Sequence, residues 1–94
     1  MKVTGLIWLR EVVDKLAWKH QLTTEEVDEA MAAARRFRFI ELGDVEGEDL
    51  YAAMSRTAAG RYLIIYFVYK TTKEALIISA REMTRKEKRT YAKK

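Results

Sequence analysis

Tyr62-Leu63-Ile64-Ile65-Tyr66-Phe67-Val68-Tyr69 is apolar or aromatic at every position, with no polar alternation to mark a wet face. It is too short to cross a bilayer, which takes ~20 residues. Its β-branched and aromatic residues favour a strand, and a strand that is apolar on both sides needs cover on both sides. The strand, read over 61–69, therefore belongs inside a sheet. Thr57-Ala58-Ala59-Gly60 precedes it and Thr71-Thr72-Lys73 follows it, and both are of hairpin-turn length. Leu50 to Arg56 alternates before the first turn, with Leu50, Ala52, Met54 and Arg56 on one face. Glu74 to Arg81 follows the second, with Ile77, Ser79 and Arg81 on one face. Consecutive hairpins give an antiparallel meander.

Upstream, Val3 to Trp8 reads as a strand. Leu9, Val12, Val13, Leu16 and His20 recur at helical spacing and predict an amphipathic helix over 9–20. Thr23-Thr24-Glu25-Glu26 fits a capping box. The spacing of Val27, Ala30, Met31 and Ala34 then predicts a second helix from Glu25 to about Arg36. Arg35, Arg36 and Arg38 suit the C-terminus of that helix, where cations oppose the negative dipole end, and the cluster could also touch RNA. Phe37 to Leu42 reads as a short strand, and Glu41 to Asp49 as an acidic, glycine-containing link. Thr84-Arg85-Lys86-Glu87 is another capping box, opening a basic C-terminal helix directly after the last strand. The expected fold is one α+β domain over 1–94: an antiparallel sheet with two N-terminal helices packed on it and a short C-terminal helix.

Charge is uneven. The net charge is +4, yet Arg81 to Lys94 holds seven basic and two acidic residues, a local +5. Such asymmetry suits a polyanion or an acidic protein partner, and equally a solvated helix face. The chain has no Cys, so disulfides and thiolate chemistry are excluded. One His does not build a zinc site, the four glycines form no phosphate-cradling motif, and neither a metal nor a cofactor is expected. With no secretory signal pattern and no bilayer-length apolar run, the expected location is the cytoplasm, with no membrane partner.

The remaining chemistry is cationic and aromatic. Arg81 ends a strand, a rigid place from which to aim a fork-shaped guanidinium at phosphate. Arg56 and Arg61 flank the 57–60 turn, so a hairpin draws them together. Arg85, Lys86 and Arg89 line the C-terminal helix beside Tyr91, and Lys19 and His20 close the first helix. Cations with aromatics describe an RNA-contacting surface, although structural ion pairs give the same pattern. His20 reads as a packed or capping residue, or as an acid/base group if it faces a cleft. Trp18 falls on the polar face of its helix, either under a neighbouring loop, the preferred reading, or as an anchor for a partner.

Three segments resemble one family. Trp8, then Lys19-His20 and Leu22-Thr23-Thr24-Glu25-Glu26-Val27, is similar to the opening of BrnT-type toxins of bacterial type II toxin–antitoxin systems. Ser55-Arg56-Thr57-Ala58-Ala59-Gly60-Arg61-Tyr62-Leu63 resembles their hairpin. The stretch from Ile77-Ile78-Ser79-Ala80-Arg81 through Thr84 and Glu87 to Tyr91 resembles their ending, the most specific of the three. Leu9-Arg10 stand where the family has Asp-Pro, Val12 and Leu16 where it has Lys and Asn, and Ser55 where it has Gly. The resemblance implies a RelE-like fold, a cognate antitoxin partner and ribonuclease activity without a metal, through attack of the ribose 2′-OH on the adjacent phosphate. It implies Arg56, Arg81, Tyr91 and His20 as catalytic residues. Lys19, Arg61, Arg85, Lys86 and Arg89 would contact RNA. The alternative is a non-catalytic RNA- or protein-binding module that keeps the fold.

Overall fold

The structure, a computed structural model, describes residues 1–93. Five strands and three helices follow in the order β1 (Gly5–Ile7), α1 (Arg10–His20), α2 (Thr24–Ala33), β2 (Arg36–Glu41), β3 (Asp49–Arg56), β4 (Tyr62–Tyr69), β5 (Glu74–Glu82) and α3 (Arg85–Ala92). The sheet order is β1-β5-β4-β3-β2. Strands β3 to β5 form the expected antiparallel meander, and β2 adds to it antiparallel to β3. The sheet as a whole is mixed, which corrects the all-antiparallel expectation: β1 runs parallel to β5, with Gly5 opposite Glu74 and Ile7 opposite Leu76. The apolar run Leu6-Ile7-Trp8 suits a strand but carries no information about its partner. Here α1 and α2 fill the connection between β1 at one edge and β2 at the other.

Local chemistry accounts for the element ends. Gln21 takes a left-handed conformation (φ 52°), and the Leu22 N–H returns to the Leu16 carbonyl, which stops α1 without a glycine. Both capping boxes form, Thr23 with Glu26 and Thr84 with Glu87. The second helix ends earlier than expected, at Ala33, because Ala34 turns extended (ψ 136°) and Arg36 to Glu41 pairs with β3. Of the three cations assigned to that helix end, only Arg35 stays there, donating to the Ala33 and Ala34 carbonyls. Arg36 and Arg38 belong to β2 instead. In the 57–60 turn Gly60 sits at φ 94°, a conformation costly for any residue with a Cβ, and its N–H donates to the Thr57 carbonyl at 2.9 Å.

The sheet has two covered faces. On one, α1 and α2 bring Leu16, Leu22, Val27 and Ala30 against Leu63, Ile65, Phe67 and Ile77, all fully buried. Phe67 lies at the centre, edge-on to Phe37 and stacked with Tyr51. On the other, Ala52, Met54, Ile64 and Met83 form a smaller cluster with Tyr62, Tyr66 and Tyr91. Helix α3 crosses this second face but has no buried residue of its own. β4 is covered on both sides, as its composition demands. A register shift between Tyr66 and Phe67 corrects the facing of β5. Ile77 stands opposite Phe67, whereas Ser79 and Arg81 stand opposite Tyr66 and Ile64. Ile77 therefore points to the α1–α2 core, and Ser79 and Arg81 to the α3 face.

Candidate nucleic-acid interface

The α3 face collects cations from three elements. In β2, Arg36 is opposite Met54 and Arg38 opposite Ala52, so both side chains rise on this face. In β3, Arg56 is opposite Tyr62 and shares its face. α3 adds Lys86, Lys88 and Tyr91. The Arg56 guanidinium lies 5.3 Å from the Tyr62 ring centre, and the Lys88 ammonium lies 5.4 Å from the same ring. Tyr62 meets Tyr91 edge to face at 6.0 Å. Arg36 stands 5.5 Å from the Tyr91 ring centre and donates to the Thr90 carbonyl at 2.9 Å. Cation–π contacts and ring pairs of this kind hold the groups in place while leaving polar edges free.

Between β2–β3 and α3 runs a groove of three adjoining cavities. One, of about 340 Å³, is bordered by Arg35, Arg36, Arg56, Tyr62 and Tyr91. The next, of about 310 Å³, shares Arg35 and Arg36 and adds Arg38, Met54 and Thr90. The third, of about 330 Å³, shares Arg38, Met54 and Thr90 and ends at Lys86 and Glu87. Among the described residues, Arg38, Arg56, Lys86 and Lys88 have no hydrogen-bonded or ion-paired partner for their charge. Among the described residues Glu87 is the only carboxylate on the lining.

Glu87 is itself engaged. Arg81 reaches it with both terminal nitrogens, at 2.8 and 2.9 Å, and also donates to the Tyr66 hydroxyl and the Glu82 carbonyl. The Arg81 fork holds the Glu87 carboxyl down at about 2, and Glu87 in turn raises Arg81 above the ordinary guanidinium value. The residue expected to grip phosphate is thus the clamp that fastens α3 to β5.

Arg61 is also occupied. All three of its nitrogens donate: to Glu82, to Glu26 and the Gln21 carbonyl, and to the His20 carbonyl. Backbone donation from Thr23 and then the Arg61 contact lower Glu26, and Glu26 and Glu82 raise Arg61. Arg56 and Arg61 do flank the turn, yet they diverge. Arg56 faces the groove, whereas Arg61, one residue before Tyr62, points to the α1–α2 link.

His20 and Lys19 end α1, on the helix-pair side of the sheet, and are not brought to Arg56, Arg81 or Tyr91. Arg85 and Arg89 are exposed on α3, outside the groove lining. Trp18 is 72% exposed with no loop over it, which leaves the anchor reading and sets aside the preferred loop. Tyr62 and Lys88 are the residues at the groove that the sequence reading missed, whereas Arg36 and Arg38 were given to a helix end that could also touch RNA. The Arg-Phe-Arg-Phe alternation of 36–39 was the available signal that Arg36 and Arg38 stand on a strand. No cluster of His, Cys, Asp or Glu able to hold a metal ion occurs among the described residues. No helix among them is long and apolar enough to cross a membrane. No protein-family model matches the chain, and no curated protein is significantly similar to it.

Proposed function

We propose that this chain binds RNA along the groove between β2–β3 and α3, and that it acts there as the ribonuclease toxin of a type II toxin–antitoxin pair in the cytoplasm. The observation that carries the reading is the gathering of Arg36, Arg56 and Lys88 on the Tyr62–Tyr91 ring pair. Their charges repel one another and, among the described residues, no carboxylate neutralises them; a bound phosphodiester would do so. Cleavage by 2′-OH attack builds negative charge on the phosphate, and Arg56 and Arg36 are the groups to meet it. Tyr62 and Tyr91 offer ring faces and edges for unstacked bases. Tyr91 also offers a phenolic proton for the leaving oxygen. Arg81 and Glu87 hold α3 and with it Tyr91 and Lys88.

A second reading, RNA binding without cleavage, is favoured by one feature. Among the described residues the groove has no His, and its single carboxylate, held at about 2, is a poor proton acceptor at neutral pH. One experiment separates the two. Purified protein is incubated with single-stranded RNA in EDTA, and binding and cleavage are followed together. Cleavage that falls ~10- to 1,000-fold in Arg56→Ala while the fold persists supports the toxin reading. Binding without cleavage supports the second. Failure to bind RNA, or cleavage untouched by Arg56→Ala, removes the groove from the reaction.

A further inference from the structure

The free edge of β2 combines exposure with a self-complementary pattern. β2 ends the sheet and pairs only with β3. Along it and just beyond, Phe39 is 50% exposed, Ile40 37% and Leu42 74%. An exposed apolar edge strand is a template for another strand. The register shift between Phe39 and Glu41 sets the charges. Arg38 stands opposite Ala52 and Glu41 opposite Leu50, two residues apart on β3, so both side chains lie on the α3 face. Without the shift, residues three apart would point to opposite faces.

We infer that β2 pairs antiparallel with β2 of a second copy, about a two-fold axis perpendicular to the sheet, with Arg38 opposite the partner's Glu41. Symmetry makes the same ion pair twice, because an isologous contact repeats every pairing. In this register Phe39 meets the partner's Ile40 at the centre, and Phe37 meets the partner's Leu42. All three pairings put apolar against apolar or plus against minus, and Arg36 falls opposite the partner's Gly43, where no side chain obstructs it. A second copy is the occupant because the strand is its own complement: its cation and its anion sit symmetrically about the centre. The axis keeps both α3 faces on the same side of a joined ten-stranded sheet, so the two grooves, each bordered by β2, open together. The inference does not depend on what the groove binds.

Sedimentation equilibrium of the full chain tests it, from micromolar to hundreds of micromolar. The expected result is a reversible equilibrium with a species of twice the 11.0 kDa chain mass. Arg38→Glu and Glu41→Arg, each alone, set like charges opposite at two symmetric positions and weaken the dimer about tenfold or more. The double exchange Arg38→Glu/Glu41→Arg restores the pairs and the dimer to within about threefold of the native constant. Hydrogen exchange of the native chain adds a readout that needs no variant: the outward amides of 38–41 gain protection as concentration rises. A monomer at every concentration overturns the inference. So does a dimer insensitive to the exchanges, an open-ended assembly, unchanged exchange along β2, or an edge that takes up only another protein's strand.

Discussion

Replacing Glu87 by Gln removes the charge of the α3 clamp while keeping an oxygen for the Thr84 capping contact. A fall of the carboxyl from 4.5 to about 2 corresponds to ~3 kcal/mol at 1.36 kcal/mol per pKa unit. The Arg81 and Glu87 side chains are 34% and 26% exposed, so water screens the pair and about 1–2 kcal/mol is expected to remain. The sign follows from the depressed value. The contribution is fully present above 4.5 and is lost as pH falls toward about 2. Because α3 has no buried residue, the loss appears first as undocking of this helix. Hydrogen exchange of the α3 amides and urea unfolding, from pH 7 to pH ~2, measure both. Glu87→Gln should be less stable than the native chain at neutral pH, and the gap should close in acid. Glu26 titrates in the same direction but identically in both proteins, so the difference isolates Glu87. A gap that stays constant between pH 7 and pH ~2, or no gap at all, refutes the clamp. Arg81→Lys, which loses the fork, should lower stability and RNA binding together. A stable Arg81→Lys protein with cleavage reduced tenfold or more would return Arg81 to the phosphate.

In RNA-binding assays, Lys86→Ala should reduce the slope of log affinity against log salt by about 0.7, the loss of one single-strand phosphate contact. An unchanged slope removes that residue from the backbone track. Tyr91→Ala should weaken single-stranded RNA binding by about 1–3 kcal/mol, with duplex RNA affected less; equal effects on both would exclude base stacking. His20→Gln should leave the pH–rate profile of cleavage unmoved, since His20 lies on the helix-pair side, and loss of a neutral-pH inflection would show otherwise. Trp18→Ala, tested by calorimetry against a co-purified antitoxin, should weaken the complex by about 2 kcal/mol if the exposed ring is an anchor. Unchanged affinity would place the antitoxin elsewhere.

Local sequence determined the elements. Turn-length links at 57–60 and 71–73 and the two-sided apolar run in β4 required a meander with cover on both faces, and that is the structure. Capping boxes at Thr23 and Thr84 placed two helix starts, because their partners lie three residues apart. The end of α2 was less legible: three cations suited a helix terminus and an alternating strand equally, and pairing with β3 chose the strand for Arg36 and Arg38. Long-range geometry decided the rest. The β5 register shift turned Arg81 toward α3, where Glu87 occupies it, and strand alternation sent Arg56 and Arg61 to opposite faces. The site residues were recognisable by type, as cations and tyrosines, since binding phosphate demands those groups. Which of them remain free was not, because a guanidinium suits a carboxylate of its own chain as well as a phosphate, and only the folded sheet brings the carboxylate within reach.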